Sequence, residues 1–152
     1  MAAQLPDLIF YDGAQLDLYS NPLELYWDQH KERPNFQTSR ECKRGYVATW
    51  EIRNNTLTLN ALEAKIKKRY FLFWKKTVPY ALKNLFKKAG DRSVTATWVT
   101  GKLRIPQGNR TFFVDEGYES RFEREMVLSI EKAMVVKTVV LDYAKKELVV
   151  GG

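Results

Sequence analysis

Arg44-Gly45-Tyr46-Val47-Ala48-Thr49-Trp50-Glu51-Ile52 alternates as a half-buried strand should. Tyr46, Ala48, Trp50 and Ile52 fall on one face, and Val47, Thr49 and Glu51 on the other. Its centre recurs 48 residues later as Ala96-Thr97-Trp98, inside Val94-Thr95-Ala96-Thr97-Trp98-Val99. Each copy leads to a turn and an apolar return. Arg53-Asn54-Asn55-Thr56 turns the first into Leu57, Leu59 and Ala61, because Asn tolerates the left-handed region. Thr100-Gly101-Lys102 turns the second into Leu103-Arg104-Ile105. Two tryptophan-bearing hairpins on one curved wall are therefore expected. Chance recurrence of three residues in unrelated strands is the plainer alternative, and the match alone does not decide between them.

Upstream, Leu8–Tyr11 and Ala14–Tyr19 flank Asp12-Gly13, a type I′ hairpin signal. Asn21 can cap a helix, with Pro22 at its first position and Leu23, Tyr26, Trp27 and His30 on one face. Arg33-Pro34 ends it, and His30 is expected at the core edge. Residues 34–43 read as an ordered loop in which Cys42 is a small filler.

Downstream, Lys65–Lys76 reads as a strand or an irregular excursion, and Thr77 as the cap of a helix over 78–89 that ends at Gly90. Leu82, Leu85 and Phe86 would face inward there. Pro106 and Gly108 are expected to close the return strand, leaving Gln107-Gly108-Asn109-Arg110 as a turn. Phe112–Val114 reads as a short strand and Tyr118–Glu131 as a long one. Lys132-Ala133 turns into Met134–Leu141, and the tail from Ala144 is expected to be frayed or helical. The sum is an α+β, mainly β fold: a bent antiparallel sheet or partly open barrel with two short helices.

The 152 residues suit one domain over residues 1–150. A single cysteine and a single histidine exclude an internal disulfide and a Cys/His zinc site, and no metal or cofactor motif is present. No signal peptide is read, and no apolar run approaches about 18 residues, so a cytoplasmic protein with no membrane contact is expected. The net charge of +7 favours anionic partners.

Several segments, in order, resemble a family of small bacterial and phage proteins of uncharacterised activity. They are Arg44–Ile52, Leu85-Phe86 ahead of Ala96-Thr97-Trp98, Gly101–Gly108, Gly117-Tyr118-Glu119-Ser120 with Glu123, and Ile130-Glu131-Lys132 before Val135-Val136. Ala133 stands where that pattern suggests glycine. The resemblance implies that these polar positions gather for a purpose. With it, the chain is expected to capture a host signalling nucleotide and blunt a defence response.

Three sets of residues carry candidate chemistry. Arg44, Tyr46, Trp50, Arg104, Tyr118, Ser120 and Glu123 lie on or beside strands, and arginine beside aromatic rings can seat a phosphate and a base. The alternative is a buried ion pair fixing strand register, with Arg44 or Arg104 answering Glu51 or Glu123. The second set is a basic tract. Residues 65–92 hold ten cations against Asp91 alone, a net of +9 that leaves −2 for the rest of the +7 chain. Lys67, Lys68, Arg69, Lys75, Lys76, Lys83, Lys87 and Lys88 would form its surface, with Tyr70, Phe71, Phe73, Trp74 and Tyr80 interleaved. Phosphates want mobile cations and unstacked bases want rings, so the tract suits single-stranded nucleic acid. It would equally meet an acidic protein, or be a solvated face over core aromatics. The third set, Asp115, Glu116, Glu119, Glu123 and Glu125, supplies carboxylates without a P-loop, nucleophile elbow or metal motif. Alternation puts Glu119, Glu123 and Glu125 with Arg121 on a salt-bridged exterior. The leading expectation is a non-enzymatic binder of a nucleotide-type small anion. Nucleic-acid binding and inhibition of an acidic protein are the rivals, and a homo-oligomer is left open.

Overall fold

A computed structural model describes residues 4–30, 33–70, 74–89, 92–112, 121–142 and 147–151. Strands β1 (Asp7–Tyr11) and β2 (Ala14–Leu18) form the expected hairpin, with Asp12 and Gly13 at φ 50° and 81°. Helix α1 (Leu23–His30) buries Leu23 and Trp27, while His30 is exposed and stacks on Tyr26. Strand β3 (Tyr46–Arg53) follows, with Tyr46, Ala48 and Trp50 buried.

Strand β4 (Thr56–Tyr70) is the spine of the sheet. One edge pairs with β3. The other pairs in turn with β9 (Met134–Asp142), β6 (Val94–Thr95) and β5 (Trp74–Ala81). A register shift at Thr49/Trp50 leaves Asn60 of β4 as a bulge, because Thr49 faces Ala61 whereas Trp50 faces Leu59. That extra residue moves the core face to Leu62, which is buried, and leaves Ala61 exposed, against the alternation expected from Leu57 and Leu59.

The ambiguous Lys65–Lys76 stretch is thus the far half of a long hairpin. Thr77 lies within β5; helix α2 is only Leu82–Leu85, and the Ala81 N–H that precedes it donates to the Asn84 side-chain oxygen (2.8 Å). Leu82 is nevertheless buried, with Leu85 and Phe86 packed at the core margin.

The second tryptophan segment corrects the expected repeat. Only Val94-Thr95 is strand, and it pairs with β4 rather than with a return strand of its own. Trp98 sits in the following turn, where its Nε1 donates to Pro22 O (3.1 Å) and its ring stacks on Phe86. The two tryptophans meet all the same, with ring centroids 6.3 Å apart in one core.

Strand β7 (Gly101–Phe112) runs through Pro106 and Gly108 instead of stopping, absorbing one extra residue in each of two register shifts against β8 (Arg121–Glu131). The chain end is no helix: β10 (Glu147–Gly151) pairs with β9. Lys132 and Ala133 make the β8–β9 turn at φ 46° and 73°, so alanine does adopt the left-handed geometry that glycine would favour. This turn bonds the Asn54-Asn55 turn through Leu57 N to Ala133 O (2.7 Å) and Val135 N to Asn55 O (2.8 Å).

The strand order is β2-β1-β3-β4-β9-β8-β7. The sheet is mixed, since β1 lies parallel to β3, and it does not close into a barrel. Its ends approach where Tyr19 N donates to Arg104 O (2.7 Å) and Arg104 N to Ser20 Oγ (3.1 Å). The fold is α+β and mainly β, with two short helices. No helix among the described residues is long and apolar enough to cross a membrane.

Candidate nucleic-acid interface and the buried ion pairs

The parallel pairing of β1 with β3 sets Ile9 beside Trp50 and carries Asp7 under the start of β3. Asp7 is fully buried. Its Oδ1 accepts from Arg44 Nη2 (2.7 Å) and Ala48 N (3.0 Å), and its Oδ2 from Trp50 Nε1 (3.1 Å). Arg44 Nη1 donates to Leu5 O (2.6 Å), and its guanidinium lies 5.2 Å from the Tyr46 ring centre. The Tyr46 hydroxyl donates to Glu24 (3.1 Å). Arg33 pairs with that same Glu24, packs over the Trp27 ring, and donates to Arg44 O (2.7 Å). Cys42 fills space beside this cluster, its thiol donating to Tyr46 O (3.2 Å).

Burial is the largest influence on Asp7 and raises its pKa; Arg44 and the Ala48 and Trp50 N–H groups pull the other way. Burial also pushes the Tyr46 phenol up, with the Asp7 and Glu24 carboxylates adding to it, so Tyr46 stays protonated and serves as a donor.

Arg44, Tyr46 and Trp50 are therefore brought together as the sequence suggests, around a carboxylate that local sequence does not reveal. In the sequence Asp7 merely precedes the Leu8–Tyr11 strand, and only the non-local β1–β3 pairing makes it an acceptor. Trp50 and Tyr46 are 0% and 1% exposed, so neither ring face is open to a ligand.

Arg104 has a separate carboxylate. It pairs with Glu125, which sits diagonally across the β7–β8 ladder, where Arg104 faces Val127 and Pro106 faces Glu125. Glu125 is 4% exposed, which corrects its expected place on a salt-bridged exterior: the Tyr19–Ser20 segment covers that face, with the Tyr19 ring 5.5 Å from the Arg104 guanidinium. Of the partners expected for these arginines, Glu51 is placed elsewhere. Glu51 pairs with Arg53 and accepts from Asn60. Tyr118 and Ser120 lie outside the described residues, as do Asp115, Glu116, Glu119 and the side chain of Glu123.

The basic tract is where charge meets solvent. Eight antiparallel rungs join Glu63↔Ala81 through Tyr70↔Trp74. Lys68 stands directly opposite Lys76, and Arg69 opposite Lys75. Lys65, Lys67, Lys68 and Lys76 are exposed, as are Lys83, Lys87 and Lys88 in and after α2, which packs against β4 and β5 at the root of the hairpin. Tyr80 is partly buried and edge-on to Phe36 at 5.5 Å, so that ring belongs to the core margin. Phe71 and Phe73, and the side chains of Arg69, Tyr70, Trp74 and Lys75, lie outside the described residues. A depression of about 290 Å³ lies at the hairpin root between Gln37–Ser39 and Glu63–Lys65.

Comparison with protein-family models, curated proteins and solved structures finds no match for the chain in any of the three.

Proposed function

We propose that the protein binds nucleic acid through its phosphate backbone, using the β4–β5 hairpin as the contact surface. The observation that carries this reading is a cluster of cations in water: Lys65, Lys67, Lys68 and Lys76 on the hairpin, and Lys83, Lys87 and Lys88 beside its root, are all exposed. The backbone register concentrates basic residues, with Lys68 opposite Lys76 on one rung and Arg69 opposite Lys75 on the next. Binding a polyanion across such a cluster releases its condensed counterions, which favours association.

A small nucleotide between Arg44 and the strand aromatics, whether or not as an antagonist of host signalling, has less support. Arg44 is engaged by Asp7 and Arg104 by Glu125, and the rings beside Arg44 are buried. Capture there would have to break buried charge pairs.

Fluorescence anisotropy against mixed-sequence nucleic acid at a series of NaCl concentrations tests the reading. Affinity should fall steeply with salt, and the combined Lys67→Glu, Lys68→Glu, Lys75→Glu and Lys76→Glu variant should lose it. A flat salt response, or binding of a mononucleotide or an acidic protein alone, overturns it.

A further inference from the structure

The hollow at the hairpin root forms where two segments share one edge of β4. Strand β3 ends on that edge with Tyr46 facing Ala64. Further along, the preceding loop takes the edge over: Phe36 bridges Ile66, and Gln37 N donates to Lys65 O (2.8 Å). Gly45 lets the loop close in, since a Cβ there would meet Gln37 O at 3.2 Å. Ser39 Oγ accepts from Cys42 N (3.1 Å), which fixes the loop's return. Gln37, Thr38, Glu63 and Lys65 supply most of the polar lining, while Gly45 and Ala64 add little bulk. Its volume of about 290 Å³ is at the lower end for a ligand site and suits one flat ring system.

The fold does not engage these polar groups. Leu62 and Ile66 pack on the core, so strand alternation puts Glu63 and Lys65 together on the reverse face, about 6.6 Å apart along the strand. Their opposite charges do not pair with each other. Neither these two side chains nor those of Gln37 and Thr38 have a hydrogen-bond or ion-pair partner among the described residues, and all four are exposed. A carboxylate accepts, an ammonium donates, and a carboxamide does both. The fitting ligand carries two N–H donors on one edge and two acceptors on the next. Among nucleobases that is guanine. Its N1–H and N2–H groups match the two oxygens of a carboxylate, and O6 and N7 are the acceptor pair that lysine reads. Adenine, cytosine and thymine each set an acceptor beside their N–H donor and would turn it towards the carboxylate. A duplex hides N1 and N2 in base pairing, so the guanine must be unpaired. Lys67, exposed and next on the same face, continues the line for an adjoining phosphate.

Resting on the nucleic-acid reading above, we infer that this hollow takes one unpaired guanine of a single strand, with Glu63 accepting from N1–H and N2–H and Lys65 donating to O6 and N7.

The test titrates the full chain into fluorescently labelled thymidine oligomers of about 12 nucleotides, within the span of common single-strand sites. Each carries one central dG, dA, dC or deoxyinosine, or none, and the all-thymidine strand is also tested as a duplex with its complement. The dG oligomer should bind at least about tenfold more tightly than the dA, dC and all-thymidine strands. Deoxyinosine lacks the N2 amino group and should lose most of that gain. Glu63 is exposed and unpartnered among the described residues, so Glu63→Gln keeps the fold. That variant should lose the preference for dG while holding the all-thymidine strand at least as tightly as before. Equal affinity for dG, dA and dC would overturn the guanine site and leave backbone binding standing. So would a dG preference that survives Glu63→Gln, or tight binding of the duplex alone. Binding to neither duplex nor single strand would remove both.

Discussion

Asp7 is the residue on which the first half of the sheet converges. Its carboxylate takes hydrogen bonds from Arg44, Ala48 and Trp50, which joins the N-terminal hairpin to β3. Removing either member of a buried ion pair leaves the other charge without compensation, at about 3–5 kcal/mol. Asp7→Ala and Arg44→Ala should each destabilise by about that much, and the double variant should cost less than the sum. Urea titrations of the four proteins measure this cycle. Additive losses would mean that the two side chains act independently. Loss of ligand binding in Arg44→Ala would thus report unfolding before it reported a site. Gly45 makes a second prediction. Its φ is +82°, and a Cβ there would sit 2.5 Å from that of Phe36. The left-handed penalty of about 1–2 kcal/mol adds to overpacking of about 1–3 kcal/mol, so Gly45→Ala should lower stability by about 2–5 kcal/mol in the same titration.

At the level of elements, turn chemistry and alternation were readable and non-local pairing was not. Asp12-Gly13, Asn54-Asn55 and Lys132-Ala133 all turn where the sequence places turns, because positive φ is a local demand. Arg44 and Arg104 were legible as strand-borne arginines that could pair internally, but not with Asp7 and Glu125. Those partners depend on a parallel contact and a covered face that no local pattern encodes. Thr77 read as a helix cap because Leu82, Leu85 and Phe86 follow at helical spacing, yet the register with β4 carries β5 through to Ala81. Tertiary pairing outweighed a short helical signal there. That same register yields a testable cost. Lys68→Gln with Lys76→Gln removes one like-charge rung and should stabilise the free protein by roughly 0.2–1 kcal/mol while weakening its hold on polyanions. Thermal melts at low salt read the first effect. A destabilised double variant would mean that these lysines support the fold.

Across the whole molecule, two kinds of electrostatics are kept apart. The Asp7–Arg44 and Glu125–Arg104 pairs hold their carboxylates at 0% and 4% exposure, whereas Lys65, Lys67, Lys68 and Lys76 of the hairpin are exposed. Salt screens exposed charges over a Debye length of about 8 Å at physiological strength and reaches buried pairs much less. Raising NaCl should therefore relieve the hairpin without loosening the ion pairs inside, and the free protein should become more stable, not less. The Lys68–Lys76 rung at up to about 1 kcal/mol, with about 2–4 °C per kcal/mol for a chain of this size, puts the rise in Tm at a few degrees between low and physiological salt. The Lys68→Gln and Lys76→Gln double variant should show a clearly smaller rise. Bound nucleic acid should mimic salt, raising Tm most at low ionic strength and least where binding is screened. A Tm that falls with added NaCl would place the dominant electrostatics in the buried pairs and count against net repulsion among the hairpin cations.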